Sequence, residues 1–483
     1  MKKKFIIFFS FTFLLSRIPF LNMGFGSDID SWVYADTGFA IFKTGSYFAS
    51  RGIGFPLYEF LITFILKINE STGLPDWILT NSLSMFTAFV CIILFYKILI
   101  KWKIEHRELL LIAFAFMPVI WKNSINTMDY MVSIMFILLS HYLIIEKKYS
   151  ISAIALGLAV GARPTNGIIF LSFIYLLWKD GKREIIKFST IFSLVTFCFS
   201  LPFLLNYKLL TIEQYRNYMY PQSTIIMNLS KIGYRIFYEF IGIDASIFLI
   251  ILIMFSKSRI IEFFKQMKNG DAINIFLSST IILFLLLFLK YPFQAEYLIP
   301  LIPSLLILAG RFLKKRNLII FIFLVILNGF IAIPGIKFGF DNSGNITINP
   351  ELIGKGTFIS DIKERKKFVD FEEKFLKINF KKHSIVIWHE YQAPYVYFNR
   401  YEIFKKGEYF DSERHLTCLD YVYIPDRDIY VTYLLPNELL KVKNQHNVYY
   451  LPCVIRLIKS RKGINLLKNN PTLIDQLEYA VSS

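Results

Sequence analysis

Apolar runs of roughly the length needed to cross a bilayer, about 20 residues, follow one another along most of the first 335 positions, separated by short charged or turn-rich breaks. Read as helices, they fall at about 1–21 and 77–100, then lead through breaks near 122–128, 146–148, 161–164, 179–187, 206–235, 257–268, 290–296 and 311–316, and end near Gly335. This pattern predicts a mainly α polytopic membrane protein with about eleven transmembrane helices. The segment 22–76 is predicted as a long loop with amphipathic pieces such as 29–43. Beyond 336 the hydropathy falls, and short β-rich runs such as 384–388 and 428–433 alternate with charged helical stretches such as 361–377. Two domains follow: 1–335 in the membrane, and 336–483 as a small α/β domain.

Composition agrees with the bilayer as main solvent. Of 483 residues, 55% are hydrophobic and 19% charged, and the mean hydropathy is +0.47. The formal net charge of +18 would suit nucleic acid only if Lys and Arg were gathered on one soluble face. They lie mainly in short breaks instead, as the cytoplasmic loops of a membrane protein do, so no nucleic-acid partner is expected. Lys2, Lys3 and Lys4 put the N-terminus in the cytoplasm, ahead of a first helix read as retained, not as a cleaved signal. Alternation then gives basic breaks at Lys101–Arg107, Glu146–Lys148, Lys179–Lys187, Lys257–Lys268 and Arg311–Arg316 on the inside of the cell membrane. It places 336–483 outside the cytoplasm. Cys91 and Cys198 are expected as buried thiols; Cys418 and Cys453 lie where a disulfide could persist. No internal repeat of the kind many transporters carry is evident.

Acidic residues beside spans are costly and are functional candidates. Three groups fall on the outer side: Asp28, Asp30, Tyr34 and Asp36 after the first helix; Asp129 and Tyr130 at the start of the fourth; and Arg163, Lys290 and Glu296 in later turns. Each has a plainer reading. Ser27 with Asp30 is a near capping box, Asp129 a helix-start acid on a wet rim, and Arg163 a snorkelling charge beside a proline. Their convergence on one face favours chemistry. A carboxylate there could take the proton of an attacking hydroxyl while a cation stabilises a departing phosphate. The transition state at the sugar carbon would be oxocarbenium-like. Tyr215, Tyr218, Tyr220 and Tyr234 could line a sugar groove or form an aromatic belt, and His389 reads as structural.

With those motifs in order, the chain resembles the GT-C superfamily of integral membrane glycosyltransferases, the class of protein O-mannosyltransferases and lipid A aminoarabinose transferases. The resemblance rests on Asp28-Ile29-Asp30 followed by Tyr34-Ala35, on Thr127–Tyr130, on Gly161-Ala162-Arg163-Pro164, and on Glu296-Tyr297-Leu298-Ile299-Pro300. It implies transfer of a sugar from a polyprenyl-phosphate donor to a protein, lipid or glycan acceptor at the outer face. Asp30 would be the base, Asp28 its partner or a metal ligand, and Asp129 a second acid on the acceptor side. Arg163 and Lys290 would hold the phosphate, with Glu296, Tyr297 and Tyr34 in the substrate site. Asp28 and Asp30 together could hold Mg²⁺ or Mn²⁺, although the resemblance implies that no metal cofactor is needed. Two departures stand out: Ser31 replaces the Glu of the usual acidic pair, which leaves the choice of base between Asp28 and Asp30 open, and Glu296 stands where many relatives have Arg. Rival functions are a transporter or flippase of lipid-linked sugars, and a polysaccharide polymerase or ligase.

Overall fold

The computed structural model describes residues 2–51, 54–206, 225–340, 346–377, 381–387, 421–424, 428–432 and 447–450. It is mainly helical. Among the described residues four helices are long and apolar enough to cross a membrane: Asp76–Lys101, Lys182–Asn206, Ala272–Lys290 and Ala295–Phe312. A fifth crossing arises if Leu229–Phe240 and Ile243–Met254, bent by 97° at their junction, count as one span. The corner is Gly242, whose φ of +95° is left-handed and whose absent side chain leaves room for Asn328; a Cβ there would lie 2.7 Å from Asn328 Cγ.

The expected count of about eleven is therefore not reached by length and hydropathy. The predicted fourth, fifth and sixth helices are Tyr130–Ile145, Tyr149–Ala162 and Pro164–Leu177, all shorter than a full crossing. The first, Lys2–Leu15, has 14 residues. It stops before Arg17, which is fully buried and sandwiched by Phe13, Phe116 and Trp121, its guanidinium carbon 4.1, 4.8 and 4.6 Å from their ring centres.

Two further expectations change. Helix Ile29–Thr44 is not amphipathic: residues 31–41 are buried on every side. Gly38 lets helix Pro56–Asn69 pack directly across it, since a Cβ there would come within 2.8 Å of Ile62 Cγ2. Cys91 is buried, but Cys198 is exposed, because helix Lys182–Asn206 packs through one stripe and turns the rest of its apolar surface outward. Cys418 and Cys453 lie outside the described residues, as do Tyr215, Tyr218, Tyr220 and His389.

After the last apolar helix, Lys315–Leu327, strands Gly335–Phe340 and Ile346–Glu351 form an antiparallel hairpin. Strand Ser384–Ile387 pairs in parallel with Ile429–Thr432 and Asn447–Tyr450, and Tyr421–Ile424 joins the far side of Ile429–Thr432 antiparallel. The intervening helix, Thr357–Lys377, does not stand apart from the apolar bundle. Its Arg365 is fully buried and donates from Nε to the Met23 carbonyl at 3.1 Å and from Nη2 to that of Gly24 at 3.0 Å. Phe358 packs against Phe20 and Trp121. Arg365→Met takes its donor from the Met23 carbonyl, while that of Gly24 keeps Asn81, and is expected to cost about 1–3 kcal/mol. Hydrogen exchange of the Phe20–Ser27 amides should rise well above wild type; unchanged protection would show that the helix does not hold this loop.

Candidate functional site

The loop before helix Ile29–Thr44 is fastened residue by residue. Asn81 Nδ2 donates to the carbonyls of Leu21 and Gly24, each at 2.9 Å, Trp32 Nε1 donates to Gly26 at 2.9 Å, and the Thr127 amide donates to Phe25 at 2.7 Å. These bonds set residues 25–28 beside the turn that opens helix Tyr130–Ile145. The helix cap is Asp28, whose carboxylate accepts from the Asp30 amide at 3.0 Å. The expected Ser27 cap does not form, because the Ser27 hydroxyl donates to Asp361 on helix Thr357–Lys377.

Groups from five segments of the chain then close a polar ring. Arg51 Nη1 lies 2.8 Å from Asp30 Oδ2, and its Nη2 lies 3.7 Å from Asp129 Oδ1 while also donating to the Tyr34 hydroxyl. Asp129 Oδ2 pairs with Arg163 Nη1 at 2.7 Å, and Arg163 Nη2 donates to the Tyr130 hydroxyl at 3.3 Å. Tyr130 in turn donates to Gln294 Oε1 at 2.9 Å, and Gln294 Nε2 donates to Asp28 Oδ2 at 2.8 Å. The circuit returns to Asp30 through its amide. Aromatic faces enclose the cations: Arg163 lies 4.2 Å from the Tyr130 ring centre and 4.8 Å from that of Tyr297, and Arg51 lies 4.4 Å from that of Phe55.

Beside this ring lies a cavity of about 600 Å³, lined by Asp28, Lys122, Arg235, Gln294, Glu296 and Asp361 among others. Lys122 Nζ is 2.7 Å from Glu296 Oε1 and 3.9 Å from Asp361 Oδ1. Burial alone would lower the Lys122 pKa, but the two carboxylates outweigh it and raise it, so the ammonium stays charged. Asp28 is the member of both ring and cavity that titrates near neutrality. Burial foremost, then the Asp30 charge, pushes its carboxyl up to about 7 against the opposing pull of Lys122.

The candidates from the sequence thus meet unevenly. Asp28, Asp30, Asp129, Arg163 and Tyr34 belong to one circuit of hydrogen bonds and ion pairs, and Glu296 and Tyr297 flank it. Asp129 is fully buried, not on a wet rim. Lys290 is outside both circuit and cavity, exposed at the end of its helix with Nζ 5.3 Å from the Tyr291 ring centre. The helix Ala272–Lys290 carries it past the turn in which Gln294 and Glu296 swing back. Cations that the sequence reading passed over stand in its place: Arg51, Lys122 and Arg235. Arg51 has a local signal, being the only charged residue between Lys43 and Glu59. Among the described residues no group of three or more His, Cys, Asp or Glu side chains is arranged to hold a metal ion.

No model of a known protein family matches this chain, and no curated protein does either.

Proposed function

We propose that the chain is a glycosyltransferase of the GT-C type, moving a sugar from a polyprenyl-phosphate donor to an acceptor at the outer face of the membrane. In this reading the shorter apolar helices also cross, giving about eleven passes, and residues 336–483 lie outside. One observation carries it: a carboxyl with its pKa near 7, Asp28, lines a cavity of about 600 Å³ that Lys122 and Arg235 also line. That combination pairs a base for a hydroxyl with cations for a phosphate.

The base is assigned to Asp28 in preference to Asp30, since Asp30 is engaged by Arg51 at 2.8 Å. The acceptor oxygen attacks the anomeric carbon and its proton passes to Asp28. The bond from that carbon to the phosphate oxygen breaks, and the lipid phosphate leaves with the electron pair towards Lys122 and Arg235. Asp129 and Arg163 act through the ring, holding Tyr130 and Gln294, and so the Asp28 carboxylate, in place.

The test uses full-length protein in detergent with polyprenyl-phosphate-linked sugars of several kinds, scored by release of free polyprenyl phosphate. Turnover by wild type and its loss in Lys122→Met, by about 10²-fold or more, are expected. A protein that releases no polyprenyl phosphate from any donor, yet moves fluorescent lipid-linked sugars across proteoliposome bilayers, would instead be a flippase.

A further inference from the structure

A second cavity begins next to the acid-lined one, since Met117 and Phe240 line it while their chain neighbours Pro118 and Glu239 line the first. An apolar groove of about 400 Å³ runs between helices Arg107–Phe116, Ile243–Met254, Lys257–Lys268, Ile302–Phe312 and Lys315–Leu327, lined by residues such as Met117, Leu249, Phe263, Leu305 and Phe321. Its lining is almost wholly hydrocarbon, with one cation, Arg259. Arg259 and Phe312 also line a separate polar mouth of about 450 Å³, together with Lys103, Glu105, Glu262 and Arg311. The mouth sits at the Lys101 end of helix Asp76–Lys101, whereas the ring of carboxylates is near its Asn81 end. With 26 residues that helix is about 39 Å long.

The charges at the mouth are not equally free. Arg311 pairs with Asp271 at 2.9 Å, and Glu262 accepts from Gln266 at 3.3 Å. Glu105 faces His106 Nε2 at 3.9 Å. Arg259 donates to the Phe312 carbonyl and makes no ion pair among the described residues. A half-buried guanidinium over an apolar groove, with donors to spare, is matched by an anion attached to hydrocarbon.

Helix Lys257–Lys268 supplies the setting. It carries Lys257, Arg259, Lys265 and Lys268 against the single acid Glu262, yet Ile261 and Phe264 are 59% and 62% exposed. Basic and apolar residues shown together to the surroundings mark a helix lying in the membrane interface. Excess positive charge of this kind is drawn to anionic phospholipids.

We propose that groove and mouth form a binding site for an anionic phospholipid, an acyl chain between the helices and the phosphate on Arg259. The site is independent of the transfer reading, because it shares no residue with the ring around Asp28 and needs no donor sugar. It ties helix Lys257–Lys268 to the bundle through lipid, next to the bend at Gly242.

Native mass spectrometry of the full-length protein in mild detergent tests this by titration with phosphatidylglycerol and with phosphatidylcholine of the same acyl chains. Wild type should retain phosphatidylglycerol about tenfold better, the size of one charge-assisted contact. Arg259→Gln should bring the two lipids level, and Arg259→Lys should keep part of the preference, which separates charge from misfolding. Leu249→Trp, filling the groove without changing charge, should weaken both lipids alike. Equal retention by wild type, or a preference surviving in Arg259→Gln, overturns the site. Displacement of phosphatidylglycerol by equimolar polyprenyl phosphate would also overturn it, in favour of a prenyl-lipid occupant.

Discussion

Asp28→Asn is expected to lower the transfer rate by about 10²–10⁴-fold, the usual contribution of a positioned base, while removing one source of the fold's pH dependence. Asn has nearly the same shape and caps a helix as well as Asp, so the bond from the Asp30 amide survives. What disappears is the buried charge, and with it the Oδ2 acceptor of the Gln294 amide. The Asp28 carboxyl is pushed up to about 7, far above the ordinary carboxylate value, so the folded state holds its proton more tightly than the unfolded chain. Its contribution to stability is therefore complete below about pH 4 and is lost as pH rises through 7. Wild type should unfold at lower temperature at pH 8 than at pH 6, whereas Asp28→Asn should lack that part of the decline. Turnover should run the other way, rising about tenfold per unit below pH 7 and levelling above it, because only the ionised form accepts a proton. Initial rates and thermal unfolding over pH 5–9 give both curves. A rate independent of pH through 7 would remove Asp28 from the proton transfer and return the choice to Asp30.

The longest helices were legible because the bilayer imposes a length: 77–100 became Asp76–Lys101, and the run before Lys290 became Ala272–Lys290. Helix Ile29–Thr44 was misread because Asp30, Asp36 and Lys43 give it a polar count that suits a surface, and no local pattern reveals that neighbours bury it. Part of the candidate site was visible for a similar reason. Asp28, Asp30, Asp129 and Arg163 stand out as charges in apolar surroundings, and charges so placed need partners. Which partners they take depends on contacts far apart in the chain. Arg51 reaches Asp129, Gln294 reaches Asp28, and Asp361 and Arg365 come from a region read as a separate domain. Sequence spacing carries no trace of such pairings. It could also not show that Lys290 would end on the outside of its helix while Lys122, in the short helix Pro118–Asn123, turned towards Glu296.

Asp129→Ala is expected to be among the most destabilising single substitutions in the bundle, at about 3–5 kcal/mol, because it removes one partner of a buried ion pair. Asp129 is fully buried and Arg163 is 3% exposed, so the guanidinium left behind cannot reach water. Its remaining contacts are the Tyr130 hydroxyl at 3.3 Å and the rings of Tyr130 and Tyr297. Cation–π contacts contribute about 0.5–2 kcal/mol each, too little to offset a stranded charge. Arg51 would lose its second carboxylate as well, retaining Asp30 alone. Removing both charges is a different matter: Asp129→Leu with Arg163→Met replaces a desolvated pair by packed hydrocarbon and should recover most of the stability. Recovery of the fold need not restore the site. Without Arg163 the Tyr130 hydroxyl is no longer held, and with it the Gln294 amide that donates to Asp28. The double variant should therefore withstand heating in detergent much as wild type does, yet lose its rise in rate through pH 7 or shift it. If the single variant were as stable as wild type, the pair would not be buried as described; if the double variant kept the wild-type pH profile, the ring would not position Asp28.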